Sequence, residues 1–208
     1  LLRFTYKKLK EKLTVSDSKK LFHEQFPYVI PGLYKRIVDE MLVELNLLSH
    51  QNEFSQEYLF CIGLTETFKE LMKGYEPSNH LDILFDSLCN SSNFKSKIIK
   101  ETSQNSLEEF KNKTSNDILE LLKEKSSSKL YPSRILNLGI YLIFSKSTNL
   151  VDTSDSEKNK IITDLFANLN LSPSKAEKDI GIYLTSIKRL EQAKELLDDA
   201  KLKKQKVK

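Results

Sequence analysis

Apolar residues recur along this chain at intervals of three and four, and no segment alternates convincingly with period two. The clearest run is Leu33, Ile37, Val38, Met41, Leu42, Leu45 and Leu48. That i, i+4, i+5, i+8 rhythm predicts a helix over 33–48 that buries one wide face. Its other face carries Lys35, Arg36, Asp39, Glu40 and Glu44, with Arg36 and Glu40 four apart and able to pair. Upstream, residues 14–18 predict a cap region before a short helix over 19–25, and Pro27 and Pro31 bracket a break. Downstream, 56–73 predicts a helix with Leu59, Phe60, Gly63, Leu64, Phe68 and Leu71 inward. Gly63 stands in mid-helix, where it costs about 1 kcal/mol against alanine, so close approach of a neighbouring helix is expected there. Gly74-Tyr75-Glu76-Pro77 stops that helix. Ser78 or Asn79 is expected to cap a third, with Leu81, Leu84, Phe85 and Leu88 on one side.

Residues 94–127 are polar with sparser apolar positions and read as two helices, broken near 103–106 or 112–116. Pro132-Ser133-Arg134 opens the most apolar helix, expected to be central, and residues 157–169 form the next. Ser172 and Pro173 then begin a stretch with no further proline. Ile180, Tyr183, Ile187 and Leu190 follow one another at three or four positions, and Leu197 comes after a gap at Lys194. The first half of this helix is predicted to pack and the second half to leave the body, reaching about 45 Å if all is helical. The fold class is therefore all-α: a single helical bundle with a long, projecting C-terminal helix. Residues 14–172 are its body, 173–208 the long helix, and 1–13 read as a basic leader, disordered or extraneous to the fold.

Composition adds little to fold class but much to charge. Residues 1–13 carry five basic groups and one acid, and residues 201–208 carry five lysines and no acid. With a net charge of +4 overall, the segment between them is net −5. An acidic body with basic ends disfavours nucleic acid as a partner, the more so because arginine is rare: Arg3, Arg36, Arg134 and Arg189. No apolar run approaches the roughly 20 residues of a membrane-spanning helix. Cys61 and Cys89 sit among apolar neighbours and read as buried free thiols in a reducing compartment.

A reactive centre is not legible. His23, His50 and His80 form no H-x-x-x-H pair, no C-x-x-C occurs, and the five glycines are isolated, so neither metal ligation nor a phosphate-cradling loop is expected. Asp152, Asp155 and Glu157 lack the glycine and glutamate of a calcium loop and read as helix-capping charge. Glu40 and Glu44 are read as a solvated face rather than an acid–base pair. Asn90 and Asn112 match a glycosylation pattern, discounted without a sign of secretion, and Ser126-Ser127-Ser128 reads as a loop. No catalytic residue, metal or cofactor is predicted.

One dispersed pattern carries more. Thr14-Val15-Ser16-Asp17-Ser18-Lys19-Lys20 followed by Phe22, the run Leu33–Leu48, Gly63, Phe68, Gly74-Tyr75-Glu76-Pro77, Leu84-Phe85-Asp86-Ser87-Leu88-Cys89, Tyr131-Pro132-Ser133-Arg134, Gly139, Tyr141, Lys178-Asp179-Ile180, Tyr183, Ser186, Ile187 and Gln192-Ala193 keep one order over residues 14–200. In this the chain resembles the thylakoid-formation proteins, also called photosystem II biogenesis proteins, of cyanobacteria and plastids. It departs from them modestly, with Lys35 where many have Arg, Asn46 where many have His, and a poor match over 90–130. The resemblance implies an all-helical, non-enzymatic accessory protein in photosystem II biogenesis or repair and thylakoid maintenance. It further implies association with the FtsH-type membrane protease on the cytoplasmic side of the thylakoid membrane.

The expected contact surfaces are the charged face of helix 33–48 (Lys35, Arg36, Asp39, Glu40, Glu44) and the long helix 174–205 (Tyr183, Ile187, Leu190, Leu197). The alternative is a peripheral protein that binds anionic lipid without a specific protein partner, through the lysine-rich end.

Overall fold

The computed structural model describes residues 12–111, 113–125, 130–147 and 155–206. Among these residues the chain forms nine α-helices and no strand: α1 (Val15–Gln25), α2 (Gly32–Ser49), α3 (Tyr58–Leu71), α4 (Leu81–Asn90), α5 (Ser96–Phe110), α6 (Ser115–Lys125), α7 (Arg134–Ser147), α8 (Asp155–Asn168) and α9 (Pro173–Lys206). Residues 1–11, Asn112, Ser126–Ser128, Asp152 and the side chains of 201–208 lie outside the described residues.

The centre is α3, in which every residue from Leu59 to Phe68 is buried. A helix enclosed on all sides needs neighbours around its whole circumference, and α7 and α5 supply most of them. The apolar α7 thus shares the centre rather than holding it alone. The α3–α7 crossing is a backbone-to-backbone approach. A β-carbon on Gly63 would fall 2.0 Å from the Ile135 carbonyl oxygen, and one on Gly139 would fall 2.2 Å from that of Leu59. This is the close approach that a mid-helix glycine at 63 predicts.

Two helix starts use the same local device. Asp17 accepts from the Thr14 backbone N–H at 3.0 Å, and the Asp17 N–H donates to Thr14 Oγ1 at 3.1 Å. Thr114 and Asp117 repeat it ahead of α6. These reciprocal caps satisfy N–H groups that the first turn leaves unpaired. They begin α1 at Val15, four residues earlier than expected, and set the break between α5 and α6 at 111–114, the second of the two expected positions. The expected cap at Ser78 or Asn79 does not form. Ser78–His80 is instead a turn of 3-10 helix running into α4, with no side-chain cap on either.

The long helix α9 has 34 residues and spans about 50 Å. Ala176, Ile180, Tyr183 and Leu190 are buried against the body, and Ile187 packs half-buried beside them. Lys194 is the last point of attachment among the described residues: its Nζ donates to the Lys73 carbonyl at the end of α3 and lies 6.0 Å from the centre of the Tyr34 ring. Beyond it Leu196 and Leu197 are 71% and 52% exposed, so the end of α9 projects.

Candidate functional site

The hydrophobic rhythm of α2 turns Val38, Met41, Leu42, Leu45 and Leu48 into the core. It leaves Lys35, Arg36, Asp39, Glu40 and Val43 on the other side, along a broad groove of about 870 Å³ closed by the segment Tyr131–Arg134. Arg36 Nε donates to Glu40 Oε1 at 2.8 Å, the pairing their spacing predicts. Lys19 of α1 stands 3.6 Å from Asp39. Leu47, 53% exposed, gives the groove an apolar end.

Glu44 departs from the expected solvated face. Its side chain is largely enclosed, and Arg134 at the start of α7 donates to it through Nε at 2.8 Å and through Nη2. Burial pushes the Glu44 carboxyl above its ordinary value. Arg134 pulls against this without reversing it, and the nearby Asp179 adds to it. One turn along α7, Asn137 Nδ2 donates to Asp179 Oδ2 of α9 at 2.8 Å. A polar seam therefore ties α2, α7 and α9 together beneath the surface. Sequence spacing could not find it, because its partners stand 90 and 42 positions apart.

A second groove, about 790 Å³, runs between α2 and α9. α2 packs on α1 and α4, and α9 on α8, α7 and α3, so the space between α2 and α9 stays open. Arg36, Glu40 and Arg134 line both grooves and join them. The two helices expected to carry contacts are thus neighbours on one side of the molecule. Their individual residues differ in placement. Lys35, Arg36, Asp39, Glu40 and Glu44 line the first groove, and Leu190 borders the second. Tyr183 and Leu190 are themselves buried and fasten α9 to the body, while Leu197 lies on the projecting end. The exposed apolar side chain that α9 offers to the second groove is Ile182, 44% exposed. Arg134, Lys178 and Arg189 also line it and were not singled out as contacts by the apolar seam, which marks only the inward stripe.

The arrangement offers charge and relief rather than a nucleophile. Cys61 and Cys89 are buried and unbridged; burial pushes the Cys61 thiol up to about 12 and Cys89 higher. Both are held as thiols, not thiolates. His80 stacks on Tyr28 at 3.9 Å, and His50 closes the end of α2. Among the described residues no three His, Cys, Asp or Glu side chains gather as a metal site, and no helix is long and apolar enough to cross a membrane.

The fold is that of a solved structure of Psb29, with a TM-score of 0.73 over 86% of this chain and 98% of that one, at 24% identity. The family model for thylakoid formation proteins matches residues 14–208, from the cap of α1 to the end of the chain. This chain belongs to the thylakoid formation protein family. It is 69% identical to protein Thf1 of Prochlorococcus marinus strain MIT 9312, over 95% of this chain and 98% of that protein. It is 70% identical to protein Thf1 of Prochlorococcus marinus subsp. pastoris, over 96% and 99%. A more distant Thf1, from Parasynechococcus marenigrum, is 35% identical over 91% of this chain and 89% of that protein. The family is described by its role in thylakoid formation.

Proposed function

We propose that this protein is a non-enzymatic accessory factor in photosystem II biogenesis and repair and in thylakoid membrane formation. It acts peripherally on the cytoplasmic side of the thylakoid membrane by docking onto an FtsH-type membrane protease. Family membership supports the thylakoid setting. The observation that carries docking as the mode of action is the pair of solvent-open grooves that meet at Arg36 and Glu40 of α2 and Arg134 of α7. They lie beside a helix whose end projects with Leu196 and Leu197 exposed. Exposed apolar side chains rimmed by charge are a common form of protein contact surface.

The test is capture of the membrane protease from detergent-solubilised thylakoids by the tagged chain. Two variants accompany it: one cut after Lys194, and one carrying Lys35→Glu with Asp39→Lys. A cut after Leu171 is unsuitable because it removes Ile180, Tyr183 and Leu190 from the core. Each variant is expected to capture less protease than the full chain at equal folded concentration. Unchanged capture by both would remove the proposed surfaces from the account.

A further inference from the structure

Arginine is scarce in this chain, and its placement is uneven. Of the four arginines against 29 lysines, Arg36, Arg134 and Arg189 all line the groove between α2 and α9. The fourth, Arg3, lies outside the described residues. A lysine serves where only solubility or diffuse charge is needed. A planar guanidinium offers a fork of donors that matches a carboxylate in two parallel hydrogen bonds. Lys178 adds a fourth cation to the groove, and Glu40 is the acid that lines it.

The cations are not consumed by the fold. Arg36 is 82% exposed at its side chain and, among the described residues, uses only Nε, on Glu40. Lys178 and Arg189 have no ion-pair partner among the described residues. Arg134 alone is committed, to Glu44. The floor between them is apolar: Leu33 and Ile37 from α2 pack half-buried on the core, and Ile182 faces them from α9.

The geometry is that of two helix faces in step. Leu33, Arg36, Ile37 and Glu40 follow the i, i+3, i+4, i+7 spacing of one stripe, and Lys178, Gly181, Ile182, Thr185, Ser186 and Arg189 follow the same spacing on α9. Gly181 stands in the middle of that stripe, and a β-carbon there would meet nothing within 4 Å. The fold does not require a glycine at 181. What its absent side chain does is keep the groove open.

We propose that the α2–α9 groove binds an acidic, amphipathic peptide segment of a partner protein, apolar side chains on Ile37 and Ile182 and carboxylates on Arg36 and Arg189. This rests on the docking role proposed above and specifies the chemistry of its partner. A concave channel between two helices, with an apolar floor, suits a peptide. A bilayer surface would meet only its rims.

The test is selection from an unbiased displayed peptide library on the full-length protein, followed by affinity measurement of the selected peptides by fluorescence anisotropy. Enriched peptides are expected to carry an excess of Asp and Glu with interspersed apolar residues. Their binding should weaken at least about tenfold in Arg36→Gln/Arg189→Gln. It should weaken similarly in Gly181→Leu, which adds a side chain to the groove at a position where a β-carbon meets nothing within 4 Å, with thermal midpoints measured alongside to confirm that the variant is folded. Phosphatidylglycerol vesicles form the second arm, and their sedimentation with the protein should not depend on these substitutions. No enrichment, enrichment of neutral or basic peptides, or equal binding by the variants would overturn the proposal. So would vesicle binding that is lost with the two arginines. If the groove variants still capture the membrane protease while no acidic peptide is selected, the groove assignment fails and the docking role stands. If acidic peptides bind but the unaltered chain captures no protease, the reverse holds.

Discussion

Gly63, Gly139 and Gly181 sit in helix interiors under opposite constraints. At Gly63 and Gly139 a β-carbon would collide with a carbonyl oxygen of the facing helix, and backbone cannot step aside as a side chain can. Gly63→Ala is expected to lower stability in urea unfolding by at least about 1–3 kcal/mol, despite the better helix propensity of alanine. Gly181→Ala meets open space and is expected to raise stability by about 0.5–1 kcal/mol. A second contrast concerns Glu66 and Glu44. Burial raises the Glu66 carboxyl, but hydrogen bonds from Lys146 and Lys69 outweigh it and leave the carboxyl below its ordinary value of 4.5. Its contribution is therefore present above that value and is lost as pH falls through the lowered one. Glu44 is raised, so its contribution runs the other way: present below the ordinary value and lost as pH rises through the raised one. Thermal midpoints measured from neutral to acid pH should show a shallower acid decline in Glu66→Gln than in the unaltered protein. They should show a steeper decline in Glu44→Gln. The reverse order would contradict these assignments. The two thiols provide a simpler check: neither Cys61 nor Cys89 should react with a soluble alkylating reagent until the protein unfolds.

At the scale of the element, α9 does two jobs with two halves. Its first half contributes Ile180, Tyr183 and Leu190 to the core, at about 1.5–3 kcal/mol each when fully buried. Their sum is comparable with the whole stability of about 5–15 kcal/mol typical of a domain. A chain ending at Leu171 is therefore expected to lose cooperative unfolding by circular dichroism, whereas one ending at Lys194 retains it. Much of this was readable from the sequence. The stripe Ile180–Tyr183–Ile187–Leu190 and the break at Lys194 give both the packed half and the point of departure. The threonine caps of α1 and α6 were written as T-x-x-D but stand apart from the apolar rhythm, which is why α1 begins earlier than periodicity alone indicates. The enclosure of α3 was less legible, because Thr65, Glu66 and Thr67 look like a polar face. All three are buried, Thr65 with its Oγ1 against Ser103 Oγ of α5, Glu66 held by Lys146 of α7, and Thr67 among residues of α2, α7 and α9. Contacts 38 and 80 positions apart leave no local trace. For the candidate surface, the outward charges of α2 were legible as a stripe. That Arg134 and Arg189 would join Arg36 was not, since it depends on how α7 and α9 cross α2.

For the molecule as a whole, the polar seam through Glu44, Arg134, Asn137 and Asp179 fixes α9 against α2 and α7 and so sets the width of the groove above it. The side of the bundle that carries α2 and α9 holds both grooves and leads to the projecting end. α5 and α6 contribute no residue to either groove. The proposed contact surfaces therefore lie on one side of the helical body, and protection from hydrogen exchange on partner binding tests this most directly. With the purified FtsH-type protease complex added to the full-length chain, slowed exchange is expected in α2 and in α9 from about Lys178 to Leu197, with α5 and α6 unchanged. Protection confined to α5 and α6, or none at a concentration where the two proteins co-purify, would contradict it.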